Sequence, residues 1–201
     1  MRIIRGKKGF LWLAALALVM VVVLWFFSSD ETAIPKPRGY FRIGLPQQEY
    51  RIYESECPLN VDVSQAAEIE LFRDRLSPDS CWFNIYYPKL NARIHCSYID
   101  VNGRLNALID DAYGFAAKHE MKASALRRTM VADSSRNVYG IVYDIEGDAA
   151  SNLQFFLTDS TDHFLRGALY FFNAPNADSL APVLDFVRAD VMRITETLNW
   201  R

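Results

Sequence analysis

The stretch of residues 138–187 most constrains how this chain can fold. It contains three runs typical of β-strands, which turn-forming residues separate and the start of a helix follows. In the first run, period-2 spacing places Tyr139, Ile141 and Tyr143 on one face. The third run, residues 163–172, ends in consecutive apolar residues and therefore predicts a central strand covered on both faces. The stretch predicts an antiparallel meander that leads into a helix.

The rest of the chain after residue 38 predicts more strands and two main helices. Strand patterns occur at residues 39–43, 48–53, 81–87, 92–99 and 123–131. Helical spacing of apolar residues predicts one helix over 104–119 and a second over about 179–198, with Pro182 in its first turn. Residues 57–79 show only a loose pattern. This order predicts an α+β domain with a largely antiparallel sheet, similar in element order to the PsbP-like sandwich.

The N-terminus carries an uninterrupted apolar run at residues 10–27, after a basic leader at residues 1–9. As a helix, its 18 residues are about 27 Å long, close to the ~30 Å thickness of a bilayer's hydrocarbon core. The basic leader predicts a cytoplasmic N-terminus. We therefore expect a transmembrane signal-anchor at 10–27, a polar linker at 28–38, and an α+β domain at 39–201 on the other side of the membrane.

Two other interpretations of the apolar run stay open, a cleaved secretory signal and a lipoprotein signal. A cleaved signal needs small residues at its end, whereas the run ends in Trp25, Phe26 and Phe27. A lipoprotein signal needs a cysteine just after the run, where Ser28 and Ser29 stand instead. We therefore favour a retained anchor without a lipid. All three interpretations place the domain across the membrane from the cytoplasm.

Charge argues against one class of partner. The first 27 residues carry four positive charges and no acid, so the formal net charge of −2 leaves −6 on the remainder. An acidic domain is a poor electrostatic match for phosphate backbones. We therefore expect no nucleic-acid partner.

Three cysteines, Cys57, Cys81 and Cys96, allow one disulfide and one free thiol. A domain outside the cytoplasm permits disulfides. Among the three possible pairs we favour Cys57–Cys81, because it ties the loosely patterned region to a predicted strand and is expected to stabilise by about 3 kcal/mol. Cys96 is then a small core residue. A nucleophilic pair of Cys96 with His95 is disfavoured, since adjacent strand residues point to opposite faces.

The turn before the third strand of the meander carries the remaining candidate chemistry. Asp159, Asp162 and His163 have side chains that bind metals, and Asp148 stands in the neighbouring turn. A solvated, hydrogen-bonded turn is the interpretation we favour. Arg166 reads as an ion-pair or surface position. The sequence contains no catalytic signature, so we predict no catalytic residue, cofactor or metal.

The meander also holds more aromatic side chains than one sheet face needs. Aromatic residues are enriched in the centres of protein interfaces. We expect most of them to pack in the core and some to form a binding patch for a partner. The set is Tyr139, Tyr143, Phe155, Phe156, Tyr170, Phe171 and Phe172.

Four longer runs resemble one known family. They are PKPRGYFRI (35–43), CWFNIYYPKL (81–90), VYGIVYDIEGDAAS (138–151) and QFFLTDSTDHFLRGALYFFNAPNADSLAPVLDFVRAD (154–190). They look like the GldD family of gliding-motility lipoproteins, and the similarity extends over residues 35–201. The resemblance implies a periplasm-facing envelope protein of gliding, Gram-negative bacteria of the Bacteroidota type. Cys57 and Cys81 resemble the paired cysteines of that family.

What the resemblance implies about function is an accessory role without catalysis. We expect a single-pass inner-membrane protein whose periplasmic domain binds other subunits of the gliding and type IX secretion machinery. Its contact region is expected at the strand-turn tips and includes Asp159, Asp162, His163 and Arg166. The alternatives are a periplasmic hydrolase and a metal- or ligand-binding module.

Overall fold

The structure, a computed structural model, describes residues 4–28, 39, 42–72, 81–119, 123–172 and 177–201. The chain forms two compact units, Met1–Tyr40 and Phe41–Arg201. In the first unit, helix α1 (Ile4–Ser28) carries exposed side chains at residues 10–25. The described part of the chain contains no helix that is both long and apolar enough to cross a membrane, so the predicted transmembrane helix is not supported.

The second unit is built from ten described strands, two described α-helices and one turn of 3₁₀ helix at Pro88–Leu90. The strands are β1 (Tyr50–Glu54), β2 (Leu59–Ser64), β3 (Glu68–Phe72), β4 (Cys81–Tyr87), β5 (Ala92–Asp100), β6 (Ala125–Asp133), β7 (Val138–Glu146), β8 (Leu153–Thr158), β9 (His163–Phe171) and β10 (Asn199–Trp200). The helices are α2 (Leu105–Ala117) and α3 (Ala177–Thr197). The predicted meander of β7, β8 and β9 is confirmed, as are the two main helices.

The strands form two antiparallel sheets. The larger has seven strands in the order β3-β4-β5-β9-β8-β7-β6, and the smaller has three in the order β1-β2-β10. Every described pair within them is antiparallel. The predicted α+β class with a largely antiparallel sheet is therefore confirmed. The likeness to the PsbP-like sandwich stays a prediction.

The core lies on both faces of the larger sheet. On one face, α3 packs with the small sheet against strands β4, β5, β8 and β9, and its apolar stripe is buried at Val183, Val187, Val191 and Ile194. On the other face, α2 packs through Ala112 and Ala116 against β7, β8 and β9. Coverage from both sides buries every residue of β8, including the polar Gln154 and Thr158.

Several local predictions need correction. Arg42 and Ile43 lie outside any strand, and residues 40 and 41 of the predicted strand 39–43 lie outside the described residues. The loosely patterned region contains β2 and β3, whose short lengths gave little period to detect. Helix α3 begins two residues earlier than expected, so Pro182 lies inside the helix and beyond its first turn.

The cysteines behave as predicted. Cys57 and Cys81 form a disulfide with a Cα–Cα distance of 5.6 Å, which links the segment before β2 to the first residue of β4. Cys96 is the free cysteine of the described residues and lies in the core on the α3 side. Burial raises the pKa of its thiol above the ordinary value. His95 is exposed on the opposite face, so no Cys-His pair forms.

Candidate functional site

The four residues predicted to form a contact region do not lie together. Asp159, Asp162 and His163 lie at the turn that joins β8 to β9. Arg166 lies three residues into β9, where strand geometry places it about 10 Å from His163 and on the opposite face. The predicted grouping therefore separates into a turn and a sheet-face residue.

Asp159 holds the turn together. Its Oδ1 accepts hydrogen bonds from the backbone N–H groups of Thr161, Asp162 and His163 at 3.0, 2.9 and 2.9 Å, and its Oδ2 accepts one from the Thr161 hydroxyl at 2.8 Å. Partial burial alone would raise the pKa of Asp159, but these hydrogen bonds lower it below the ordinary value. The carboxylate is thus occupied by its own turn.

His163 is also integrated into the fold. Its ring stacks on Trp200 of β10, with centroids 5.2 Å apart and planes at 7°. Its Nδ1 lies 2.7 Å from the hydroxyl of Tyr98, and that hydroxyl donates to Asp100 at 2.9 Å. Because the Tyr98 hydroxyl donates its hydrogen bond to Asp100, its oxygen accepts a hydrogen bond from the N–H at Nδ1 of His163. These contacts anchor the C-terminal strand to the start of β9.

The metal-binding alternative gains no support from this turn. Within the described residues, no group of three His, Cys, Asp or Glu side chains is placed to hold a metal ion. Asp148 cannot join Asp159, because β8 separates their turns and its six residues span about 20 Å. The suggestion that Asp148 joins Asp159, Asp162 and His163 from the neighbouring turn was therefore wrong, since successive hairpin turns lie at opposite ends of the shared strand.

A different surface has the features of a binding site. Helix α2 covers β7, β8 and part of β9, and within the described residues no helix covers the same face of β3, β4 and β5. Strand pairing places Phe72, Trp82, Ser97 and Arg166 side by side on β3, β4, β5 and β9. They line a concavity of about 380 Å³, here called the open face, whose lining side chains are Phe72, Trp82, Asn84, Arg93, His95, Ser97 and Arg166.

A polar network crosses the open face. Asn84 donates its side-chain N–H to Glu70 at 3.2 Å, and its Oδ1 lies 2.8 Å from His95 Nδ1. Since the Asn84 oxygen accepts, Nδ1 of His95 carries the proton, and Nε2 has no partner in the described part of the chain. Partial removal of the ring from water, with the neighbouring charge of Arg93, lowers the pKa of His95 and favours the neutral ring. Arg93 itself pairs with Glu70 at 3.2 Å.

Arg166 forms the inner end of the open face. Its guanidinium stacks over Phe115 of α2 at 4.2 Å and donates to the buried Gln154 at 3.3 Å. Burial lowers the pKa of this guanidinium, which stays charged because arginine does not lose its proton in proteins. Of the two positions expected for Arg166, an ion pair or the surface, the ion pair is not found, since no carboxylate of the described residues lies within ion-pair distance, and the residue is partly exposed.

The predicted aromatic set is divided between the core and the surface. Tyr143, Phe155 and Phe156 are buried, whereas Tyr139, Tyr170 and Phe171 are only partly buried. Phe172 is exposed, and the Arg93 guanidinium lies 4.9 Å from its ring. The exposed aromatic residues of the open face, Trp82 and Phe72, were not among the predicted site residues. Trp82 lies in a run predicted as an ordinary strand and Phe72 in the loosely patterned region, and only the position of α2 reveals which aromatics remain uncovered.

The family comparison agrees with the resemblance seen in the sequence. The family model described as gliding motility lipoprotein GldD matches residues 30–200. The chain belongs to this family. No curated protein and no solved structure matches it.

Membership of the GldD family connects the chain with gliding motility, and the description of the family as lipoproteins indicates membrane association. The matched range includes the disulfide, both sheets and the open face. The family description names no reaction, so it assigns no chemistry to any residue of the site.

Proposed function

We propose that this GldD-family protein is a non-catalytic accessory subunit of the cell envelope, which binds other components of the gliding and type IX secretion machinery through the open face. The observation that carries the proposal is the half-covered sheet. Trp82 and Phe72 remain 38% and 62% exposed on a face that α2 protects elsewhere. Exposed aromatics grouped beside an arginine are typical of the energetic centre of a protein interface.

The polar network holds the side chains of the open face in fixed positions, which favours binding. Asn84 is hydrogen-bonded to both His95 and Glu70. Glu70 in turn accepts a hydrogen bond from Arg93. Side chains fixed in this way lose little conformational entropy when a partner docks. The surface therefore supports recognition by preformed geometry.

Membrane association completes the proposal. The exposed side chains of α1 at residues 10–25 are all apolar, and the GldD family is described as lipoproteins. We expect the N-terminal segment to keep the protein at the membrane and the second unit to act in the periplasm.

In-cell photo-crosslinking tests the proposal. A photoreactive phenylalanine analogue replaces Trp82 in one strain and Met130 in another. Met130 is 80% exposed on β6, at the other end of the larger sheet, and serves as the matched control. We expect the Trp82 position to capture envelope proteins of the gliding or secretion machinery and the Met130 position to capture none of them. Equal capture from the two positions would contradict an interface at the open face.

A further inference from the structure

We propose that the open face recognises an acidic segment of a partner protein, with a carboxylate on Arg166, a peptide N–H on His95 and an apolar side chain between Phe72 and Trp82. The inference rests on the proposed function and names the chemistry of the partner. Three features of the concavity support the inference, and each is complementary to a different chemical group of the ligand.

The charge of the concavity requires an anion. Arg166 and Arg93 supply two positive charges, and Glu70 supplies one negative charge that Arg93 already neutralises. Within the part of the chain that the structure describes, Arg166 has no carboxylate partner, so it contributes a positive charge on a domain whose remaining charge is negative. Its guanidinium is fixed by Phe115 and Gln154, and a planar, fixed guanidinium suits a carboxylate.

The imidazole requires a hydrogen-bond donor. Asn84 fixes His95 with its proton on Nδ1, which makes the neutral Nε2 an acceptor. Strand pairing sets Arg166 opposite Ser97, so His95 and Arg166 are diagonal neighbours on adjoining strands. Diagonal neighbours of this kind lie within reach of one bound group. A peptide N–H next to an acidic side chain provides the donor and the anion together.

The outer part of the concavity requires an apolar group. Phe72 and Trp82 are directly paired across β3 and β4, and both rings are exposed. An apolar side chain placed against them removes aromatic surface from water, which is the main favourable contribution in most interfaces. A carboxylate, an N–H and an apolar side chain at neighbouring positions describe an acidic protein segment.

A matched pair of peptides tests the inference on the detergent-solubilised full-length chain. The probes are dye-labelled Ser-Glu-Phe-Ser and Ser-Gln-Phe-Ser, with both ends blocked, and binding is followed by fluorescence anisotropy. The two differ only in the charge of one side chain. We expect the glutamate peptide to bind about tenfold more tightly, the difference that one charge-assisted hydrogen bond provides.

Three variants locate the effect. Arg166→Gln should make the two peptides bind equally, because the guanidinium reads the charge. Phe72→Ser, at an exposed edge position, should weaken both peptides without altering the fold. Arg127→Gln, with 73% of its side chain exposed on β6, removes the same charge elsewhere and should change nothing.

Equal affinity of the two peptides for the unmodified protein would overturn the inference without any variant, as would discrimination that survives in a folded Arg166→Gln protein. Benzoate serves as a competitor. If benzoate displaces the glutamate peptide at benzoate concentrations below the dissociation constant of the peptide, the site binds a small carboxylate. The assignment to a segment of a partner protein then fails. Crosslinks from Trp82 without charge discrimination would leave the proposed function standing and refute only this inference.

Discussion

The buried carboxylate of Asp190 permits a quantitative test of how the domain is held together. Asp190, on α3, is 2% exposed, and its two oxygens accept hydrogen bonds from the hydroxyls of Tyr50 and Tyr87, each at 3.0 Å. Tyr50 belongs to the small sheet and Tyr87 to the large one. The carboxylate therefore joins the helix to both sheets.

We expect Tyr87→Phe to lower the free energy of unfolding by about 2 kcal/mol at pH 7, the cost of leaving a buried carboxyl oxygen without its hydrogen-bond donor. Tyr87 is 1% exposed, so water cannot replace its hydroxyl. Tyr50 is only partly buried, and water can replace its hydroxyl. We therefore expect Tyr50→Phe to cost less than about 1 kcal/mol.

The cost should depend on pH in a defined direction. Burial raises the pKa of Asp190 above its ordinary value, although hydrogen bonds from Tyr50, Tyr87 and Ser64 lower it in part. The folded state therefore binds this proton more tightly than the unfolded state. The stability that this provides is complete below the unfolded pKa and is lost as the pH rises through the folded pKa. Since Tyr87 favours the ionised form, Tyr87→Phe should cost more at pH 7 than at about pH 4.

Urea denaturation of the solubilised chain, followed by near-ultraviolet circular dichroism, measures these differences. With a slope of about 2 kcal/mol per molar urea, a loss of 2 kcal/mol moves the midpoint by about 1 M. Asp190→Asn is the control, because it removes the titrating group and should abolish the pH dependence of the effect of Tyr87→Phe. Equal costs for the two tyrosine variants at pH 7, or an unchanged pH dependence in Asp190→Asn, would refute the reasoning.

Three further predictions concern the stability of the domain. Replacing Cys57 and Cys81 by serine should lower the free energy of unfolding by about 3 kcal/mol, because the bridge closes a loop with a sequence separation of 24; a reductant should produce the same loss in the parent protein and none in the variant. Gly140→Ala should destabilise by about 3 kcal/mol or more, because its Cβ would lie 2.0 Å from the backbone oxygen of Phe156. Gly114→Ala, at a partly buried helix position where the added Cβ meets nothing within 4 Å, should instead stabilise by about 0.5–1 kcal/mol in the same urea denaturation assay.

Local patterns predicted the part of the fold in which neighbours in sequence are neighbours in space. The β7, β8 and β9 strands pair in chain order, so alternation and turn residues were sufficient. The pairing of β5 with β9 is different, because α2 and three strands intervene in the sequence. The two-residue strand β10 pairs with β2, although most of the domain's sequence lies between the two strands. No local period encodes such contacts, which form only when the core closes.

The sequence also grouped the candidate site incorrectly, for a geometric reason. The predicted contact region combined Arg166, which lies in the third predicted strand, with Asp159, Asp162 and His163 of the turn before it. In an extended strand, however, each residue advances about 3.3 Å and successive residues alternate between faces. Arg166 instead joins Ser97 and Trp82, which lie far away in sequence and are brought alongside by strand register.

Because of the same alternation, single strands of the larger sheet carry residues of the open face and residues of the core at successive positions. On β4, Trp82 lies on the open face while its neighbour Phe83 is buried in the core. On β5, His95 lies on the open face while Cys96 is buried. If the open face is the partner surface, substitutions at Trp82 and His95 should impair partner capture with little loss of stability, because they remove no core contact. Substitutions one residue further along should act mainly through stability, since they leave a cavity in the core. A surface built on strand register therefore predicts an alternating pattern of phenotypes, which a surface built on the turn tips would not produce.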